Sequence, residues 1–94
     1  MALQFEWDDI KEKLNIQKHG IDFQSASFVF LDPCRLEFYD KSHSSDEEDR
    51  FITIGFVQQV LTVVYTERGE RLRIISARKA DRKERDAYYG NEVF

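Results

Sequence analysis

Cysteine is almost missing from this sequence, and its single copy, Cys34, excludes an internal disulfide and lacks the companions a zinc site requires. One proline and four glycines among 94 residues leave no flexible linker and no low-complexity tail. No hydrophobic run approaches the length of a bilayer span, and no charged start leads into an apolar signal segment. The expected location is therefore the cytoplasm, with no membrane partner. A glycine-rich nucleotide fingerprint and paired metal-ligating cysteines or histidines are lacking too, so neither a cofactor nor a metal is expected. Net positive charge is also wanting: 14 Lys and Arg stand against 18 Asp and Glu, a formal charge of −4.

What is present is an apolar share of 41% and an aromatic content of 14%, enough for one compact core in a single domain spanning residues 1–94. The charge is polarised along the chain. From Arg68 to Asp86 eight basic residues face four acidic ones, whereas residues 1–50 hold six basic against twelve acidic. The basic end suits phosphate or an acidic partner protein. The acidic run at 46–49 reads as a solvated loop that would repel a nucleic-acid backbone locally.

The stretch from Val60 to Arg85 organises the rest. Leu61, Val63 and Tyr65 alternate with Val60, Thr62 and Val64, a turn at Glu67–Glu70 follows, and Leu72 and Ile74 resume the alternation. This predicts two antiparallel strands, with Gly69 supplying the positive φ of the turn. With Leu72 and Ile74 inward, Arg71 and Arg73 project from the opposite face. Asp81 and Glu84 have the spacing of a capping box, opening a last helix from about Arg82 to Tyr89 that Gly90 and Asn91 stop.

Upstream, Leu3, Phe5 and Trp7 alternate as a first strand. Asp8 or Asp9 opens a helix that runs to Gly20, Asp9 and Glu12 having capping-box spacing, with Ile10 and Leu14 as its apolar pair and Lys11, Asn15 and Lys18 on another face beside His19. Asp22 caps a second helix through Phe23, Ala26 and Phe30, which Asp32-Pro33 ends. Strands over Leu36–Asp40 and Phe51–Phe56 flank the polar 41–50 loop, and Gln58-Gln59 turns the chain into the central hairpin. The order β-α-α-β-β-β-β-α predicts an α+β domain with a mainly antiparallel sheet, two N-terminal helices and one C-terminal helix.

Histidines, arginines, lysines, Glu84 and the tyrosines at 88 and 89 are sufficient for phosphodiester cleavage without metal, and equally for passive phosphate binding. A family resemblance separates these. Trp7-Asp8, Lys11, Asn15, the Lys18-His19-Gly20-Ile21 turn, the Phe23–Phe30 segment and the Arg73–Ala80 run, followed by Glu84 and Tyr88, together resemble the BrnT toxin family. The resemblance implies a RelE-like ribonuclease that acts as the toxin of a bacterial type II toxin–antitoxin pair, cleaves mRNA and is neutralised by a BrnA-like antitoxin.

By that resemblance His19, Arg73, Arg78, Glu84 and Tyr88 are the candidate catalytic residues, with Lys11, Asn15 and Lys18 as supporting polar groups; these three, together with Arg71 and Lys79 of the basic end, are the candidate RNA-binding residues. Operator DNA is expected to be bound through the antitoxin complex, since the chain shows no convincing helix-turn-helix pattern. The alternative is a non-catalytic module that binds an antitoxin or nucleic acid.

Overall fold

The computed structural model describes residues 3–90. The chain runs β1 (Gln4–Trp7), α1 (Asp9–His19), α2 (Phe23–Ser27), a 3-10 turn (Phe28–Leu31), β2 (Leu36–Tyr39), β3 (Arg50–Val57), β4 (Gln59–Arg68), β5 (Arg71–Lys79) and α3 (Arg82–Tyr89). Asp8, Asp22 and Asp81 each cap the helix they precede, their carboxylates accepting from N–H groups of the first turn. The capping box at Asp81 and Glu84 is complete in both directions. Gly90 ends α3 in the left-handed region, while Asn91 lies outside the described residues.

The five strands take the order β1-β5-β4-β3-β2. Three neighbouring pairs are antiparallel, and β1 joins β5 in parallel, with Gln4 opposite Arg71 and Trp7 opposite Ile74. The domain is thus α+β, as the periodicity indicated. Gly69 has a φ of 60° at the β4–β5 turn, as a short connection between twisted strands requires.

One sheet face is covered along its length and the other at one end, so β4 is apolar or buried along both of its alternating sets over most of its length. On one face Phe23, Ala26, Val29 and Phe30 pack on Leu61, Val63, Tyr65, Ile74 and Ala77. Fully burying a side chain such as Phe23, which is 0% exposed, contributes about 1.5–3 kcal/mol. On the other face α3 covers only one end, placing Tyr88 against Ile54, Val60 and Ala80. Gly55 lets the 3-10 turn approach β3: a Cβ there would stand 3.0 Å from Val29 Cβ.

Two local departures from simple periodicity decide where the polar residues point. The β4–β5 register passes from Val64 opposite Ser76 to Tyr65 opposite Ile74, leaving Ile75 as an extra, bulged residue. The inward parity therefore shifts by one, so Ile74 and Ala77 both face the helices, and Arg78 joins Arg73 on the opposite face. The second departure is the tightening of α2 into 3-10 winding after Ser27. The change of period keeps Val29 and Phe30 buried but turns Phe28 outward, where it is 50% exposed.

The first helix presents the reverse of its expected faces. Ile10 and Leu14 are 71% and 59% exposed, and Asn15 is its buried residue. The cause lies in β5. Its pairing with β1 stops at Ile74, so the outer backbone groups of Ala77 have no strand to meet. Asn15 supplies one: its Oδ1 accepts from Ala77 N–H at 3.1 Å, and its Nδ2 donates to Ala77 O and Ile21 O, both at 2.9 Å. The amide stands in for a peptide group, and a buried backbone donor left unmet would cost more than an apolar contact gains. Asn15 accordingly leaves the candidate RNA-binding set.

Candidate functional site

The polar centre of the open sheet face is built on the end of β5 and the start of α3. Arg78 reaches across to Glu84 in a two-pronged contact, Nη1 to Oε1 at 2.7 Å and Nη2 to Oε2 at 2.9 Å. The same carboxylate accepts from Asp81 N–H at 2.8 Å, so the capping box fixes the group that holds the arginine. Burial raises the Glu84 pKa, but Arg78 and the Asp81 N–H outweigh it and hold the carboxyl below its usual value. The hydrogen bonds to Glu84 raise the Arg78 pKa in turn. Arg78 remains 40% exposed on its side chain, which leaves guanidinium N–H groups free to meet an incoming anion.

One turn further along α3, Tyr88 donates its hydroxyl to Asp32 Oδ2 at 2.5 Å. The same carboxylate accepts from Phe56 N–H and Cys34 N–H. Burial pushes the Asp32 pKa up, yet these three donors bring it below its ordinary value. Its negative charge, through the hydrogen bond above all, pushes the Tyr88 hydroxyl up to about 12. Near neutral pH Glu84 is therefore ionised, Tyr88 protonated and Arg78 a fixed cation. Asp32 had been legible only as a helix stop, because nothing in the spacing links it to Tyr88, 56 positions away.

The remaining candidates divide between the two ends of the sheet. Lys79 lies opposite Leu61 on the helix-covered face, and it is exposed. Leu61 and Gly20 line a hollow of about 320 Å³, which brings the Lys18-His19 end of α1 to this end of β5. His19 is half-buried there, and Lys18 is exposed, as is Lys11 earlier on the helix. Arg71 and Arg73 sit toward the other end of β5, Arg73 five residues or about 16 Å from Arg78. Arg73 donates to Glu6 at 2.7 Å across the β1–β5 pair, and Arg71 is exposed. The structure thus gathers Arg78, Glu84 and Tyr88 on the open face, brings Lys18, His19 and Lys79 to the same sheet end but on its helix-covered side, and sets Arg71 and Arg73 apart.

Among the described residues no group of three or more His, Cys, Asp and Glu side chains is disposed to hold a metal ion. No helix among the described residues is long and apolar enough to cross a membrane.

A five-stranded mixed sheet with helices packed at the chain's two ends, and a cationic cluster on its open face, defines a compact domain of the RelE- and BrnT-like class. Residues 7–84 match the family model described as the ribonuclease toxin BrnT of type II toxin–antitoxin systems, and the chain belongs to that family. The crystal structure of the Brucella abortus ribonuclease toxin BrnT superposes with a TM-score of 0.67 at 28% identity, covering 86% of this chain and 100% of that one. No curated protein matches the sequence. The family match places the chain among ribonuclease toxins, for which an RNA substrate and an antitoxin partner are the general expectation.

Proposed function

We propose that this chain is a metal-independent endoribonuclease that cleaves mRNA in the cytoplasm and is neutralised by a BrnA-like antitoxin. The observation that carries this reading is the Arg78–Glu84–Tyr88 grouping on the open sheet face of a BrnT-family chain. The exposed N–H groups of Arg78 bind the non-bridging phosphate oxygens and stabilise the charge that grows on them. Glu84, or His19 from the α1 end, takes the proton of the ribose 2′-hydroxyl as its oxygen attacks phosphorus. Tyr88 or His19 returns a proton to the departing 5′-oxygen, so the strand breaks with no net proton consumed. Lys11, Lys18, Arg71 and Lys79, all exposed, hold the flanking backbone.

An acidic portion of the antitoxin covers Arg73, Arg78 and the start of α3 in this reading, and it is the antitoxin that carries the complex to operator DNA. Replacing Arg71 and Arg73 together by Ala then weakens complex formation and its salt dependence in calorimetry at two ionic strengths.

A second reading is favoured by a specific observation. Arg73 and Arg78 already have carboxylate partners in Glu6 and Glu84, as expected for a surface that only binds. Purified chain, assayed on mRNA in chelator with and without ribosomes, separates the two. Cleavage that Arg78→Ala or His19→Ala abolishes, with folding and RNA affinity measured separately, supports the enzyme. No cleavage in either system by demonstrably folded protein leaves the binding module.

A further inference from the structure

A hollow of about 370 Å³ lies against Tyr88, one turn of α3 beyond Glu84, bounded by Phe28, Leu31, Asp32, Phe56, Val57 and Tyr88. Its rim is unusually apolar for a chain with 34% charged residues: Leu31 is 74% exposed, Phe28 50% and Phe56 47%. Contiguous exposed apolar side chains of this kind mark a binding surface. The volume falls in the range of small-molecule sites. We propose that this hollow is a nucleobase pocket, taking one unstacked base of the RNA while Arg78 holds the adjoining phosphate. The inference rests on the RNA-cleaving reading above and names the part of the substrate that this site would select.

Three features favour a base over an apolar protein side chain. The first is reach. Tyr88 follows Glu84 by four residues on α3, a rise of about 6 Å, so the hollow stands one helical turn from the phosphate anchor. That separation suits the span from a nucleotide's phosphate to its base. The second is the ring set. Phe28, Phe56 and Tyr88 offer π-faces, with Tyr89 packed edge-on against Tyr88 at 5.1 Å, and proteins that read single-stranded RNA stack splayed bases on such rings.

The third is Asp32. Its Oδ2 is met by both Tyr88 and Phe56, whereas its Oδ1 accepts only from Cys34 N–H, which leaves acceptor capacity at the wall of the hollow. An apolar side chain would cover that oxygen and leave its remaining acceptor capacity unmet, at a cost in affinity. A base with an exocyclic amino group, as in guanine, adenine or cytosine, supplies the donor. Uracil offers a single N–H flanked by two carbonyls that face the carboxylate unfavourably.

The test reads binding rather than cleavage. Isotope-labelled full-length chain is titrated by NMR with GMP, AMP, CMP and UMP, and with ribose 5-phosphate as the baseless control. The expected result is that the amides of Leu31, Phe56 and Val57 shift with the amino-bearing nucleotides, least with UMP, and stay unmoved by ribose 5-phosphate. Phe56→Ala weakens nucleotide binding about 5- to 160-fold, the worth of one stacked base. Leu31→Ser, at the most exposed rim position, weakens it as well without endangering the fold. The proposal is overturned if no nucleotide moves these amides, if ribose 5-phosphate moves them equally, or if both variants bind as wild type does. It is equally overturned if they respond only to an antitoxin-like peptide. A chain that binds nucleotides here yet never cleaves RNA refutes the catalytic reading alone; one that cleaves yet leaves these amides unmoved refutes the pocket alone.

Discussion

Replacing Asn15 by Ala tests the least intuitive feature of the fold, a polar residue doing the work of a missing strand. The substitution removes three hydrogen bonds and strands Ala77 N–H, Ala77 O and Ile21 O in a region where Asn15 itself is only 6% exposed. At about 1–3 kcal/mol for each buried group left unmet, tempered by partial relaxation, the loss comes to roughly 3–5 kcal/mol. A domain of this size has on the order of 5–14 kcal/mol in all. With a urea slope of about 1.5 kcal/mol per molar, the unfolding midpoint falls by roughly 2–3 M. Lys11→Ala, on the exposed side of the same helix, changes stability by about 0.5 kcal/mol or less. Folded Asn15→Ala should also bind RNA as wild type does, because its amide never reaches the surface. A loss below about 1 kcal/mol, with the slope unchanged, would refute the role assigned to this side chain.

Gly55→Ala should cost about 1–3 kcal/mol in a thermal melt, since the new methyl meets Val29 Cβ at 3.0 Å and Val29 O at 3.2 Å, and a backbone oxygen yields little; an unchanged melting temperature would count against this contact. Tyr88→Phe should lose about 1–2 kcal/mol near neutral pH by removing a hydrogen bond to an ionised partner. The sign of its pH dependence follows from both groups. The Asp32 pKa is lowered in the fold, so the stabilisation is present above the ordinary value of 3.8 and fades as pH falls through the folded value. The Tyr88 pKa is raised from 10.0 to about 12, so the same stabilisation is full below 10.0 and fades as pH rises toward 12. Denaturation of the two proteins across pH should show a gap that is widest between those limits, and a gap independent of pH would contradict the assignment.

Much of the fold is legible in local pattern, because strands and caps leave signals within a few residues. The alternation from Val60 to Ile74, the Gly69 turn and the Asp81–Glu84 box correspond to β4, β5 and α3. What the pattern hides is long-range pairing. The parallel addition of β1 to β5 has no local trace, and neither does its early end at Ile74, which is what draws Asn15 inward. The Ile10–Leu14 spacing resembles an inward stripe, yet backbone groups of β5 decide the orientation of α1 instead.

The candidate site divides in the same way. Arg78 and Glu84 are close in sequence and meet through a capping motif, so their neighbourhood was readable, whereas the Ile75 bulge that puts Arg78 on the same face as Arg73 was not. Asp32 was missed as a partner because its contact with Tyr88 depends on how β3 and the 3-10 turn converge.

The central claim is that the side chains at the end of β5 and along α3 break RNA by activating its own 2′-hydroxyl. The most direct measurement pairs an all-ribose oligonucleotide carrying a mapped cleavage site with the same oligonucleotide bearing one 2′-deoxy sugar immediately 5′ of the scissile phosphate, both in chelator. The first should be cut to a product bearing a 2′,3′-cyclic phosphate and a fragment with a 5′-hydroxyl, and the second should stay intact at that bond. Cleavage of the deoxy-substituted bond at a comparable rate would contradict the claim.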